Sequence, residues 1–232
     1  MRFDAIIFDF DGVLIDSEYA GNRHLADCLT GLGHPISPAD AMAAFMGLSG
    51  EQFLGAVERY LGRPIPPDFH AARREEAARA LREGLDEVAG ARAFVRALPA
   101  DIPRAIASSS STSWIRAHLD HLGLADDFGD HIYSGREHVA RGKPAPDLYL
   151  HAAAQLGVPI ERSVILEDSP VGAVGAVASG AHVIGLCAGL HCAAGHDDRL
   201  RALGVRDIAT DFAEVARLAG LETYPAGGRP IR

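Results

Sequence analysis

The period of apolar and polar positions changes twice along this 232-residue chain. The unbroken apolar run Ala5 to Phe8 predicts a strand buried on both faces, and it ends in Asp9-Phe10-Asp11-Gly12. Residues 17 to 86 carry helical patterning throughout. A first helix, Glu18 to Leu32, is closed by Gly33 and Pro35, and a second spans Pro38 to Met46. A third, Glu51 to Leu61, stops at Gly62 and Pro64, and a fourth, Asp68 to Leu85, is rich in Ala, Arg and Glu. From residue 91 the pattern alternates: helix Ala91 to Leu98, strand Pro103 to Ala107, helix Ser113 to Leu122, short strand His131 to Tyr133. It continues with helix Pro146 to Leu156, strand Ser163 to Leu166, helix Pro170 to Ser179, strand His182 to Leu186 and a final helix near Phe212 to Leu218. Such alternation predicts an α/β fold, a parallel sheet covered on both faces, with the helical block inserted after the first strand. The tail Tyr224 to Arg232 carries Pro and Gly without periodicity and is expected to fray.

Open parallel sheets place their ligand sites at the carboxyl ends of the strands, so those ends are where chemistry is sought. Asp9 and Asp11, at i and i+2 of an extended segment, point the same way and can share one cation, although a polar turn explains the same residues. The second end runs into Ser108-Ser109-Ser110-Ser111 just before a helix, where hydroxyls and free N–H groups suit an anion. Plain helix capping would use only one of these serines. Gly142-Lys143-Pro144-Ala145-Pro146 offers a lysine held in extended loop by the following proline; alone, it reads equally as a solvated lysine. The strand ending at Leu166 feeds Glu167-Asp168-Ser169, where capping accounts for one of the two acids and not for both. Four carboxylates converging on one pocket would repel strongly unless a divalent cation and a lysine sat among them. The all-oxygen donor set favours magnesium.

Composition narrows the partners. A formal net charge of −9 and a pI near 5.6 argue against non-specific nucleic-acid binding and against attraction to an anionic membrane. An anionic substrate must therefore find a local cation. Asp4, Asp9 and Asp11 interrupt the N-terminal apolar stretch, so it does not read as a signal peptide, and no later run is long enough to span a bilayer. Three cysteines, Cys28, Cys187 and Cys192, suit a reducing compartment, and a cytoplasmic protein is expected. Cys187, His191, Cys192 and His196 cluster and raise a structural zinc as an alternative, but without a Cys-x-x-Cys pair the ordinary loop after a strand is the stronger reading. No exposed heptad or apolar stripe suggests self-association, so a monomer is expected.

Taken together, Asp9-Phe10-Asp11-Gly12-Val13, the strand ending at Ser108, Lys143-Pro144, and Leu166-Glu167-Asp168-Ser169 with Gly172 and Gly180 behind it resemble the haloacid dehalogenase superfamily. The likeness is to its phosphatase and phosphomutase branch, covers nearly the whole chain, and extends to bacterial sugar-phosphate phosphatases, including enzymes that act on 6-phosphogluconate. It implies a doubly wound core, residues 1–15 and 87–232, carrying a helical cap, residues 16–86. It also implies roles. Asp9 would attack phosphorus to form an aspartyl-phosphate, and Asp11 would protonate the leaving alcohol and then take a proton from water. Mg2+ would be held by Asp9, the Asp11 backbone carbonyl, Asp168, and Glu167 directly or through water. Ser108, the Ser109 backbone and Lys143 would hold the transferring phosphoryl oxygens. The partner implied is a small phosphorylated metabolite.

Departures from relatives refine this reading. Dehalogenases of the superfamily lack the second aspartate, so Asp11 favours phosphate-ester chemistry. A mutase's cap histidine and arginine correspond to Gly21 and Gly50, which favours hydrolysis over the alternative, a hexose phosphomutase. Arg73 and Arg74 are candidates to grip a second anionic group or else belong to a solvated helix face, and Glu18 is a candidate to line the pocket beneath the cap. Ala89 stands where relatives usually carry proline ahead of Gly90.

Overall fold

A computed structural model describes residues 2–46, 48 and 50–221. The expected frayed tail, Gly47 and Ser49 lie outside these residues. Among the described residues six strands form one parallel sheet in the order β3-β2-β1-β4-β5-β6. They are β1 (Ala5–Phe8), β2 (Arg104–Ser108), β3 (Ile132–Ser134), β4 (Ser163–Glu167), β5 (His182–Leu186) and β6 (Asp207–Ala209). The chain starts in the centre of the sheet and winds outward in both directions, as the helix–strand alternation predicts. Of these, β6 was not legible in the sequence: it is a three-residue edge strand with a single strongly apolar side chain, Ile208.

The chain falls into two compact units, Met1–Asp16 with Asp86–Arg232, and Ser17–Leu85. The first contains the sheet. Alternation along β1 sends Ile7 to one face and Phe8 to the other. Ile7, Ala105, Ala107 and Ile165 pack against α8 (Asp147–Leu156) and α9 (Pro170–Ser179) through Leu148, Tyr149, Ala152, Ala173 and Ala176, all fully buried. On the other side Phe8 meets Phe94 and Phe128 edge-on, with ring centroids 6.2 and 5.5 Å apart, and Phe94 continues to Phe212. These rings come from α5 (Ala91–Ala97), α7 (Ala125–Phe128) and α11 (Phe212–Ala219). Each buried side chain of this size contributes about 1.5–3 kcal/mol, enough to hold a four-residue central strand in place.

The second unit is helical: α1 (Ser17–Gly31), α2 (Pro38–Phe45), α3 (Gly50–Leu61) and α4 (Pro67–Glu83). Its own core is Leu25, Ala26, Leu29, Ala41, Phe45, Val57, Leu61 and Phe69. Within this unit Arg73 Nη1 donates to the Gly21 carbonyl at 3.0 Å, so its guanidinium is engaged with the backbone of α1, while Arg74 and Glu18 are exposed.

Helix α6 (Thr112–Leu122) buries a histidine completely. His118 packs edge-on against Trp114, ring centroids 4.2 Å apart, and among the described residues neither ring nitrogen has a hydrogen-bond partner. Burial lowers its pKa, Asp11 opposing, so the folded state favours neutral imidazole. The unfolded chain takes up this proton first, near pH 6.5, so the contribution is complete above that pH and is lost as pH falls below it. Denaturant unfolding at pH 7.5 and 5.5 is expected to show a smaller loss of stability on acidification for His118→Leu than for the wild type; equal losses would refute this account.

Candidate active site

The carboxyl ends of β1, β2 and β4 and the loop carrying Lys143 supply the site. Asp9 extends the ladder one residue past β1, its N–H donating to the Leu166 carbonyl at 2.9 Å, which sets its side chain beside those following β4. Gly12 then turns the chain with φ +82°, and a Cβ there would lie 2.1 Å from Asp168 Oδ2. Glycine is required twice over, by backbone conformation and by the close approach of that carboxylate.

Lys143 joins two acids. Its Nζ lies 2.8 Å from Asp9 Oδ1 and 2.8 Å from Glu167 Oε2, and the ammonium is 3% exposed. Tyr149, on α8, donates its hydroxyl to the same Glu167 oxygen at 2.5 Å and places its ring 5.1 Å from Nζ. The other oxygen, Oε1, accepts from the Ser169 N–H and hydroxyl at 3.0 and 2.7 Å. Gly172 leaves room for this carboxylate, since a Cβ there would lie 2.1 Å from Glu167 Cδ. Capping of α9 falls to Ser169, whose oxygen accepts from the Gly172 N–H at 3.0 Å, so both acids are left for other work.

Asp168, also buried, pairs with His191 Nε2 at 2.8 Å through Oδ2. Carboxylate oxygens of Asp9, Glu167 and Asp168 lie within 4.8 Å of one another. Burial, then repulsion from Glu167, pushes the Asp9 carboxyl well above the usual range, with Lys143 opposing. Burial would lower the Lys143 ammonium, but Asp9 and Glu167 hold it well above its ordinary value. Burial would raise Glu167, yet Lys143 and the donors from Tyr149 and Ser169 keep it low. Three carboxylates against one ammonium leave an excess of negative charge, and an all-oxygen set of this kind fits a hard divalent cation.

The Asp11 carboxylate stands apart from that trio. Its Oδ2 accepts from the Ser110 hydroxyl at 2.6 Å and the Ser108 hydroxyl at 3.4 Å, and its Oδ1 accepts from Trp114 Nε1 at 3.2 Å. Ser111 caps α6 by accepting from the Trp114 N–H, which leaves Ser108, Ser109 and Ser110 over. Ser108 is buried, with its Oγ accepting from the Ser110 N–H at 3.0 Å, whereas Ser109 is exposed. Sequence reasoning noted Ser110 only within the serine run and did not single out Trp114, Tyr149 or the link from His191 to Asp168. Trp114 and Tyr149 lie inside helices where residue type alone carries no signal. His191 was visible only as part of the cysteine–histidine cluster.

A family model described as haloacid dehalogenase-like hydrolase matches residues 3–180, which span the strand ends and the Lys143 loop just described but not His191. The chain belongs to the haloacid dehalogenase-like hydrolases. As a member of this hydrolase family it is 32% identical over 187 residues to hexitol phosphatase A of Escherichia coli K12, covering 79% of this chain and 83% of that one. It is 28% identical over 191 residues to 6-phosphogluconate phosphatase of the same organism, covering 82% and 85%. A haloacid dehalogenase family hydrolase of Deinococcus radiodurans R1, solved with bound phosphate and sodium, superposes with a TM-score of 0.84 at 35% identity, covering 96% of this chain and 98% of that one. No described helix is long and apolar enough to cross a membrane.

Proposed function

We propose that this hydrolase is a Mg2+-dependent phosphomonoesterase acting on a small phosphorylated sugar or sugar acid through an aspartyl-phosphate. The observation that carries the reading is the buried trio of Asp9, Glu167 and Asp168 with Lys143 bridging two of them, while Asp11 stands beside it on separate donors. An acid engaged at one corner and a second, differently held acid one residue away suit a nucleophile and a proton carrier.

In this reading an Asp9 oxygen attacks phosphorus as the bond to the leaving alcohol breaks, and Asp11 gives that alcohol its proton. Asp11 then takes a proton from water, which attacks phosphorus and releases phosphate from Asp9. Trp114 and Ser110 hold the Asp11 carboxyl in orientation for both transfers. Lys143, Ser108 and the Ser109 backbone hold the phosphoryl oxygens as charge develops on them. Asp9, Asp168, Glu167 and the Asp11 carbonyl would hold Mg2+, which supplies charge neutralisation for the carboxylates and the phosphoryl group. The helical unit Ser17–Leu85 serves as the cap that selects the alcohol, and the names of the E. coli relatives point to sugar-derived leaving groups. Glycine at positions 21 and 50 offers no side chain to retain a bisphosphate, which favours hydrolysis over phosphoryl exchange. Three cysteines without a disulfide fit a cytoplasmic setting.

Phosphate release measured with Mg2+ over a panel of sugar phosphates, phosphorylated sugar acids and small alcohol phosphates tests the proposal. Turnover concentrated on one or a few members is expected; a folded protein that releases phosphate from none of them overturns it. Asp11→Asn is expected to lose about 10²–10⁴-fold on alkyl phosphates and much less on p-nitrophenyl phosphate, whose leaving group needs no proton. Equal losses on the two substrate types would remove Asp11 from the acid's role.

A further inference from the structure

The loop between β5 and α10 (His196–Ala202) is where the fold changes the picture of the cysteine–histidine cluster. Its sequence suggests an ordinary connection, because the cysteines are not spaced as Cys-x-x-Cys. Folding nevertheless brings the thiols of Cys187 and Cys192 and a ring nitrogen of His196 within 4.8 Å of one another. Each is placed by its own constraint. The Cys187 N–H donates to the Ala209 carbonyl at 2.7 Å, carrying the β5–β6 pairing one residue further. The Cys192 N–H closes a turn on the Gly189 carbonyl at 3.0 Å, and the His196 N–H does the same on Ala193 at 3.0 Å as it opens α10. None of the three cysteines of the chain is in a disulfide.

The histidine is prepared as a ligand. His196 is 3% exposed, and its Nε2 lies 2.6 Å from the Asp168 carbonyl oxygen, which can only accept. The ring proton therefore sits on Nε2, and Nδ1 keeps the lone pair. That tautomer, with the far N–H donated to a carbonyl, is how metal-binding histidines are commonly oriented. Nδ1 now accepts from the exposed Arg199 guanidinium at 3.2 Å, a partner that can swing into solvent. The Cys192 thiol lies 3.4 Å from His191 Nε2 and 4.0 Å from the Leu186 carbonyl oxygen, and Asp197 and Asp168 add negative charge around Cys187, with Arg201 opposing. Two sulfurs and an imidazole are soft and borderline donors, a poor set for Mg2+ and a good one for Zn2+.

We propose that Cys187, Cys192 and His196 form a second metal site, for Zn2+ or a similarly thiophilic divalent ion, separate from the all-oxygen trio of Asp9, Glu167 and Asp168. Three protein ligands leave a fourth position for water or a small ligand. The ion clamps the loop that carries His191 to Asp168 and ties α10 to the Asp168 backbone, so its role is to keep that carboxylate in place. Binding exchanges the thiol protons for the metal and requires no oxidant.

The test uses full-length protein, reduced with a phosphine, equilibrated with Zn2+ in excess Mg2+ and freed of unbound metal. About one zinc per chain is expected for the wild type and for Cys28→Ser, and none above background for the Cys187→Ser/Cys192→Ser double variant. Co2+ in place of Zn2+ is expected to give the wild type an intense thiolate-to-metal charge-transfer absorption, a readout that needs no variant to fold. Zinc is further expected to raise the Tm of the wild type and not of the double variant. The proposal is overturned if the reduced, folded wild type takes up no more zinc than the double variant, or if Co2+ binds without the thiolate band. Intact mass lighter by two hydrogens in unreduced protein, together with no metal uptake after reduction, would likewise overturn it and leave Cys187 and Cys192 as a dithiol–disulfide pair.

Discussion

Asp9→Asn is expected to abolish phosphate release, a loss on the order of 10⁴-fold or more, while leaving the protein at least as stable as the wild type without divalent cations. The activity half follows from the nucleophile's role: an amide oxygen does not form the phosphoryl-enzyme, and a group acting as a unit with its neighbours is not replaced by them. The stability half follows from burial. Asp9 is buried, and desolvation plus repulsion from Glu167 and Asp168 outweigh the attraction of Lys143, so the ionised form is disfavoured in the fold. A neutral isostere relieves that repulsion and keeps an acceptor for Lys143. Thermal melts with and without Mg2+ beside the phosphate assay separate the two effects. An unfolded variant would refute the stability half, and a folded one that retains more than about a hundredth of the activity would remove Asp9 from the nucleophile's role.

Lys143→Met is expected to destabilise the cation-free protein by about 3–5 kcal/mol, because removing one partner of a buried ionic network strands the others. Here the stranded groups are Asp9 and Glu167, each 2.8 Å from an ammonium that is 3% exposed. Mg2+ should recover a large part of the loss in the variant and a smaller part in the wild type, since the carboxylates then have only the metal to neutralise them. Turnover should fall about 10²–10³-fold even with Mg2+ saturating, through loss of a fixed donor to the phosphoryl group. Lys143→Arg would not restore the wild type, because a planar fork cannot replace a compact ammonium shared between two acids in this volume. Denaturant unfolding with and without Mg2+ measures the stability difference; a variant as stable as the wild type in the absence of cation would show that the lysine is not what balances the trio.

Both expectations rest on one electrostatic fact. An acidic chain collects three of its carboxylates in a dry place at the end of a parallel sheet, and that arrangement holds only with positive charge among them. The lysine supplies part of it permanently. The remainder matches the divalent cation and phosphoryl group of the proposed reaction, which would let an acidic protein act on an acidic metabolite.

By itself, the chain's pattern determined the α/β class, the parallel sheet and the strand ends. Buried strands of a parallel sheet are continuous apolar runs, and the residue after each run must lie at the carboxyl edge whatever the packing around it. Asp9, Ser108, Glu167 and Asp168 could be named on that basis before any coordinate, and Lys143 from its loop ahead of Pro144. Edge strand β6 and helix α10 were not legible, since the first is three residues long and five of the seven residues in the second, including Asp197, Asp198, Arg199 and Arg201, are polar. Tertiary structure alone decided which partner each acid takes. Ser110 and Trp114 hold Asp11, Tyr149 shares Glu167 with Lys143, and His191 reaches Asp168 across 23 positions of sequence. It also brought Cys187, Cys192 and His196 together, with three donor atoms within 4.8 Å of one another. Distances between side chains on different loops depend on where β4, β5 and α10 pack, and no local period in the sequence encodes that.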